Sequence, residues 1–196
     1  MVNYMLVTIE GIDGSGKSTL IDSIKEILIK NDMHNISSKC IFTKEPYGVM
    51  KDSFNKFKGN TKKEALFYLL SHSDHIERLI EPKKNKIIIS ERFFDSFIAF
   101  QSETLKYDIN KMIKYQNKIS VIPDLTVILY CNPEIAISRG EQMIDSIAFV
   151  NTVQENYKII ESQNRNIISF DTSNISLNDY NEIAKKVVDN IISLQH

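Results

Sequence analysis

Hydrophobic positions along the chain fall into five short runs that are rich in Val, Ile, Leu and Tyr. Most of these runs are continuous rather than alternating, which is typical of strands covered on both faces of a parallel sheet. They predict strands over residues 4–9, 35–43, 86–90, 125–131 and 166–170. The pattern therefore favours a buried parallel sheet.

The segments between the runs carry apolar residues at helical spacing, three and four positions apart. They predict helices over approximately residues 17–30, 61–81, 108–119, 146–161 and 176–194. All four prolines lie between the periodic segments, where a missing backbone donor does no harm. Strands that alternate with helices indicate an α/β sandwich.

Length and composition narrow the function classes. A chain of 196 residues that is 42% hydrophobic suits one core, so we expect a single domain over 1–196. The net charge of -1 gives no basic excess, so we do not expect a nucleic-acid polymer as a partner. Neither a basic, apolar leader nor a run of about 18 apolar residues is visible, so we expect a cytoplasmic protein without a membrane partner. Cys40 and Cys131 are expected to be reduced core thiols.

A phosphate-binding loop follows the first predicted strand directly. Residues 11–18 read Gly-Ile-Asp-Gly-Ser-Gly-Lys-Ser and fill every fixed position of a Walker A motif. Its glycines bring backbone amides close to a phosphate, and Lys17 can reach the β- and γ-oxygens. The hydroxyl of Ser18 is placed to ligate Mg²⁺. The loop predicts ATP binding but leaves the acceptor open.

Residues 10–19 resemble the P-loop of the thymidylate kinases, and the resemblance continues along most of the chain. It implies that ATP contacts the loop and one later arginine, at the positions Gly11, Gly14, Ser15, Gly16, Lys17, Ser18, Thr19 and Arg139. In the family an acid at the position of Asp13 faces the acceptor sugar. An alternative role for Asp13 is to cap the following helix.

Residues 43–48, Thr-Lys-Glu-Pro-Tyr-Gly, resemble the family's Arg-Glu-Pro-Gly-Gly segment, whose arginine holds the acceptor phosphate. Lys44 stands at that position. Lysine keeps the charge but loses the bidentate fork that matches phosphate geometry, so acceptor binding is expected to be weaker.

The third predicted strand ends in a segment that is similar to the family's Asp-Arg-Tyr. Glu91 is expected to hold Mg²⁺, directly or through water, or to accept a proton, and Arg92 to clamp the acceptor phosphate. A surface ion pair between these neighbours is the alternative. The resemblance further implies acceptor contacts from Phe93, Ser96 and Gln101.

Within the long middle helix, Tyr68 and His72 occupy the positions where the family has a Phe and an Arg that contact thymine. The two are one helical turn apart and could face one pocket. Ordinary core packing is the alternative for both residues.

A catalytic arginine of the family is missing from both of its usual places. Gly14 stands at the P-loop position, and residues 145–148, Asp-Ser-Ile-Ala, stand where the lid motif resembles Asp-Arg-Ile-Glu. The lid is expected over residues 140–148. Because an arginine finger can be worth on the order of 10³ to 10⁵ in rate, we expect a slow or divergent enzyme.

Together these features predict a three-layer P-loop fold with a five-stranded parallel sheet in the order 2-3-1-4-5. The predicted activity is transfer of the ATP γ-phosphoryl group to dTMP, with Lys17, Arg92 and Asp13 as the catalytic residues. ATP and Mg²⁺ are the expected cofactors, and a homodimer is expected. Two alternatives remain: a deoxynucleoside kinase that acts on a 5′-hydroxyl, and an ATP-binding relative with little turnover.

Overall fold

A computed structural model describes residues 4–30, 34–47, 57, 60–139, 146–163 and 165–195. Five strands form one parallel sheet, in the order β2-β3-β1-β4-β5. They are β1 Met5–Gly11, β2 Cys40–Lys44, β3 Ile87–Glu91, β4 Leu125–Tyr130 and β5 Ile167–Asp171. The predicted sheet and its strand order are confirmed.

Helices cover both faces of the sheet within the described residues. They are α1 Lys17–Lys30, α2 His34–Ser37, α3 Thr61–His75, α4 Phe94–Leu105, α5 Ile109–Ile119, α6 Pro133–Arg139, α7 Ile147–Glu161 and α8 Leu177–Ser193. A π-helical turn, Ile76–Ile80, continues α3. None of the described helices is long and apolar enough to span a membrane.

Several elements differ from the predicted ones. The strand predicted over 35–43 begins only at Cys40, because residues 34–37 form a helical turn. The predicted helix 61–81 changes to π geometry at Ile76. Helix α4 was not predicted, because it is buried on most sides and so lacks a polar stripe. The lid predicted over 140–148 lies mainly outside the described residues.

The core consists of two layers, one on each face of the sheet. Leu6, Ile88 and Ile128 pack against the helices that lie between β2 and β5 in the chain. Alternate positions, such as Val7 and Ile9, pack against α1 and α8 on the other face. Since all strands are parallel, their carboxyl ends meet at one edge, where ligands bind in sheets of this kind.

Candidate active site

The phosphate loop joins β1 to α1, as the Walker spacing predicts. Gly14 and Gly16 adopt φ angles of 76° and 88°, in the region that favours glycine. A Cβ atom on Gly16 would lie 1.8 Å from the hydroxyl oxygen of Tyr180 on α8. The loop therefore keeps its tight path only while position 16 has no side chain.

A second close approach explains why position 14 carries no arginine. A Cβ atom on Gly14 would lie 2.0 Å from the backbone oxygen of Ala136 on α6. A longer side chain there would have to displace the backbone of α6. The P-loop form of the family's catalytic arginine therefore does not fit this fold without movement of that helix.

The loop backbone is supported from β5 and α8. The Thr172 hydroxyl donates a hydrogen bond to the Ser15 carbonyl at 2.8 Å, and the Tyr180 hydroxyl lies 3.5 Å from the same oxygen. The hydroxyl of Ser15 is buried and has no hydrogen-bond partner among the described residues. Thr19 lies in the first turn of α1, two residues beyond Lys17.

Lys17 is buried beneath the loop, with 5% of its side chain exposed. Its ammonium donates to the carbonyls of Gly11 and Ile12, at 3.2 and 2.6 Å, and lies 4.0 Å from Asp13. Burial lowers the pKa of Lys17 to about 7, and the neighbouring Arg92 cation acts in the same direction. A bound phosphate would favour the charged form of this lysine.

Glu91 connects the phosphate loop, the donor side of the site, to the segment that carries Lys44, the acceptor side. Its carboxylate accepts a hydrogen bond from the Ser18 hydroxyl at 2.9 Å and another from the Lys44 ammonium at 2.6 Å. Burial alone would raise the pKa of Glu91, but the hydrogen bonds from Lys44 and Ser18 and the charges of Lys44 and Lys17 together outweigh burial, and the pKa is lowered. Glu91 is therefore ionised.

The pair Ser18 and Glu91 fits a magnesium site. A hydroxyl oxygen and an ionised carboxylate lie at hydrogen-bond distance from one another at the mouth of the phosphate loop. Mg²⁺ prefers oxygen ligands of this kind and usually keeps several waters. The donor set present here is therefore suited to that ion.

Arg92 and Asp13 form an ion pair in front of the phosphate loop. One guanidinium nitrogen donates to Asp13 at 2.5 Å, and the other donates to the Gly11 carbonyl and the Ser96 hydroxyl, each at 3.0 Å. Arg92 is the chief cause that holds the pKa of Asp13 below its usual range. The neighbour Asp13 in turn raises the pKa of Arg92 against the effect of burial.

The backbone of Arg92 is itself unusual, since its φ angle of 66° lies in the left-handed region. That region is sparsely populated by residues other than glycine and costs of order 1–3 kcal/mol where it occurs. Two bonds hold it: the Arg92 amide donates to Ile9, and the Ser90 hydroxyl donates to the Arg92 carbonyl. The guanidinium of this residue faces the phosphate loop, where it bonds to Gly11 and Asp13.

A cavity of about 250 Å³ opens beside this ion pair. Its lining combines charged groups at the phosphate loop with aromatic side chains from α3 and α4. The lining residues are Asp13, Lys44, Glu45, Pro46, Tyr68, Arg92, Phe93, Ser96, Phe97, Phe100 and Gln101. Every acceptor residue expected from the sequence, except His72, therefore lies at one cavity.

The wall of the cavity has one polar group without a partner. The Gln101 carbonyl oxygen is buried and makes no hydrogen bond to any described residue. An unsatisfied buried acceptor is costly, so a ligand that donates a hydrogen bond here would gain affinity. Because the oxygen and nitrogen of an amide can be exchanged by a flip, Gln101 can also present its donor.

His72 lies behind the cavity wall rather than on it. Its ring is 1% exposed, contacts Phe93 and Phe94, and places both nitrogens at 2.8 Å from other groups, Glu45 and Ser120. This placement agrees with ordinary core packing, the alternative that the sequence left open for His72. Through its bond to Glu45, His72 supports the loop that carries that residue.

Sequence reasoning missed the partner of His72 in this support. His75, one turn along α3, places its Nδ1 at 2.9 Å from the same oxygen of Glu45 and its Nε2 at 3.0 Å from Thr43. Tyr47 stacks on the His75 ring at 4.6 Å between centroids. The two histidines thus fix residues 43–47 against α3.

We expect a His72→Phe variant to lose about 1–3 kcal/mol of unfolding free energy, because Glu45 and Ser120 each lose a buried partner. Thermal or urea unfolding measures this loss. Ser73→Ala, which removes one exposed hydrogen bond on the same helix, is the matched control. Unchanged stability with a large loss of dTMP affinity would instead place His72 in the base pocket.

Arg139 is held at the opposite side of the loop. Its guanidinium donates to the carbonyls of Thr172 and Ser173, at 2.8 and 3.0 Å. The other arginines away from the cavity are also paired, Arg78 with Asp74 and Arg165 with Asp95. Of the four arginines in the chain, all within described residues, Arg92 alone lines the cavity.

A loop that can hold a nucleotide's phosphates thus opens directly onto a cavity with its own cation. Such an arrangement places a phosphoryl group between a donor and an acceptor. It defines the class of the protein: a P-loop phosphotransferase.

Comparisons with known proteins agree with this class and narrow it. Residues 9–187 match the family model described as thymidylate kinase. A probable thymidylate kinase of Methanococcoides burtonii is 32% identical over 96% of both chains, and a thymidylate kinase of Prochlorococcus marinus is 31% identical over 81% of this chain and 84% of its own. The chain therefore belongs to the thymidylate kinase family.

Comparison with a solved structure leads to the same family. The crystal structure of thymidylate kinase from Ehrlichia chaffeensis superposes with a TM-score of 0.73 at 25% identity, over 95% of this chain and 99% of that one. The comparisons give no support to the alternatives of a deoxynucleoside kinase or a nucleotide binder with little turnover.

Proposed function

We propose that the protein transfers the γ-phosphoryl group of ATP to dTMP and forms ADP and dTDP. One observation carries this proposal: the cavity that holds Arg92, Lys44 and Asp13 opens onto the phosphate loop of a thymidylate kinase family member. In the reaction, an acceptor phosphate oxygen forms a bond to the γ-phosphorus. The bond from that phosphorus to the oxygen bridging it to the β-phosphate breaks.

On the donor side, the backbone amides of residues 11–19 would hold the phosphates of ATP, and Lys17 would neutralise the charge on the β- and γ-oxygens. Ser18 and Glu91 would hold Mg²⁺, which supplies charge neutralisation between the phosphates when bound. Arg139, fixed by Thr172 and Ser173, would present its guanidinium plane to the adenine.

On the acceptor side, Arg92 and Lys44 would bind the phosphate of dTMP. Asp13, already ionised beside Arg92, would accept a hydrogen bond from the 3′-hydroxyl. Phe93 and Tyr68 would contact the sugar and base with Ser96 nearby, and the Gln101 amide would pair with the base edge.

Turnover is expected to be slow for this class. Phosphoryl transfer depends on positioning and on neutralising charge, and Arg92 is the single arginine placed to act on the acceptor. Lys44 supplies a second cation, but its ammonium donates a hydrogen bond to the Glu91 carboxylate, which offsets part of its charge. A single kinase domain with a lid over residues 140–148 remains our hypothesis for the rest of the site.

The protein is further proposed to be a cytoplasmic homodimer. Leu66 and Leu70 lie one turn apart on α3 and are 55% and 51% exposed. Apolar side chains of this size on one helix face are typical of an interface between subunits. Sedimentation equilibrium tests the dimer directly.

The test of the function is ADP production with ATP, Mg²⁺ and each of dTMP, dUMP, dCMP, dGMP, AMP and thymidine in parallel. Selective turnover of dTMP is the expected result. Turnover of thymidine alone would show that the acceptor lacks a phosphate. No turnover of any acceptor, with ATP binding intact, would contradict the proposed function.

A further inference from the structure

One buried carboxylic acid in the site has no place in the proposed chemistry. Glu10 is the residue before Gly11 in β1, and its side chain is 0% exposed. It points to the same side of the sheet as Leu6, toward α4 and α7, into a layer of the core that is mostly apolar. A carboxyl group at such a position is expensive unless its proton or a partner neutralises it.

Hydrogen bonds connect Glu10 to the cation of the acceptor site through one serine. The Ser96 hydroxyl donates to Oε2 of Glu10 and accepts a bond from the Arg92 guanidinium at 3.0 Å. The hydroxyl of Tyr157 lies 2.8 Å from the same Ser96 oxygen. Either hydroxyl can be the donor in that contact.

The other oxygen of Glu10, Oε1, is buried and has no hydrogen-bond partner among the described residues. An ionised carboxylate usually satisfies both oxygens, so this environment favours the protonated form. Burial, together with the Asp95 carboxylate, raises the pKa of Glu10 to about 8, against the bond from Ser96 and the charge of Arg92.

The charged groups around Glu10 come from several elements. Asp95 on α4 and Glu45 after β2 disfavour its ionised form, whereas Arg92 favours it and Lys17 lies within electrostatic range. Tyr157 on α7 stays neutral, since burial raises its pKa. The net effect is a carboxyl group that holds a proton at neutral pH behind the acceptor site.

We propose that Glu10 is a positioning residue that, while protonated, leaves the Arg92 guanidinium to the acceptor phosphate, and that loss of its proton weakens acceptor binding. The reason is electrostatic. Arg92 already faces one anion, Asp13, at 2.5 Å. Ionised Glu10, on the far side of Ser96, would be a second anion, and it would compete with the incoming phosphate for Arg92.

This inference rests on the proposed role of Arg92, but its failure is distinguishable from failure of the proposed function. The function fails when no deoxynucleotide is turned over at pH 7. The inference concerns how the KM for dTMP changes between pH 7 and pH 9, in an enzyme that turns over.

The experiment compares the KM for dTMP and the KM for ATP from pH 6.5 to pH 9 in the wild-type enzyme and in Glu10→Gln. Glutamine keeps the size and a hydrogen-bonding head but cannot ionise. In the wild type, the protonated fraction falls with rising pH, so the KM for dTMP is expected to increase up to about tenfold by pH 9. In Glu10→Gln this increase is expected to be absent.

The control is Glu182→Gln, an exposed substitution on α8, which is expected to keep the wild-type profile. An equal alkaline rise in Glu10→Gln and in the wild type would overturn the inference. So would a rise confined to the KM for ATP.

Calorimetry provides a second measurement that does not require the variant to fold. Above pH 8 the phosphate of dTMP is fully ionised, so dTMP binding that needs a protonated Glu10 must take up a proton. The binding enthalpy in buffers of different ionisation enthalpy measures this uptake. Proton uptake in the wild type at pH 8.5 is expected, and its absence would overturn the inference.

Discussion

An Arg92→Lys enzyme is expected to lose on the order of 10² to 10³ in kcat/KM for dTMP. The lysine ammonium could pair with only one of the groups that the fork of Arg92 joins, namely Asp13, the Gly11 carbonyl and Ser96. Lysine also lacks the planar donors that match a phosphate. Steady-state kinetics with dTMP as the varied substrate measure the loss.

Arg78→Lys is the matched control for this prediction, because Arg78 is exposed and pairs with Asp74 on α3. It is expected to keep wild-type kinetics. If Arg92→Lys retained more than about a tenth of the wild-type kcat/KM, the acceptor phosphate would have to be held elsewhere, since a lost charge-stabilising donor costs more than that.

A Lys17→Met enzyme is expected to lose on the order of 10³ in kcat, the scale of one charge that neutralises the transferred phosphoryl group. Methionine fills the buried space beneath the loop but donates nothing to the carbonyls of Gly11 and Ile12. Single-turnover measurements with saturating ATP and dTMP isolate the chemical step.

Lys25→Met tests whether any lysine on α1 has this effect, since Lys25 is exposed and pairs with Asp22 on the same helix. Its kinetics are expected to stay close to wild type. A comparable loss in both variants would indicate damage to α1 rather than removal of a charge at the phosphates.

Much of the donor side could be predicted from the sequence, because its information is local. The glycines, Lys17 and Ser18 lie within eight consecutive residues, and an apolar strand precedes them. Continuous apolar runs likewise predict buried parallel strands. Such features depend on neighbours along the chain and not on how distant segments meet.

The acceptor side depends on long-range contacts, and there the residues were easier to predict than the partners that hold them in place. Glu45 meets His72 and His75 across 27 and 30 residues, and no local pattern announces that pairing. The family position of His72 suggested a pocket residue, whereas its two bonded nitrogens place it in the core. Glu10 did carry a local signal, a single acid inside an apolar strand beside the loop.

Helix α4 shows a different limit of prediction from the sequence. It carries Ser96 and Gln101 into the cavity, yet its polar residues face inward together with Phe94 and Ile98. A helix whose polar groups serve a site has no clear amphipathic stripe, so periodicity alone could not identify it.

The close packing of Tyr180 on Gly16 limits which residues can occupy position 16 during evolution. A side chain at position 16 would overlap the phenol of a residue that lies 164 positions later in the chain. A side chain at position 16 would be strained even if the tyrosine were replaced by something smaller, because the φ angle of 88° favours glycine. Position 16 should therefore remain glycine among relatives that keep this loop, even where position 180 carries a smaller residue.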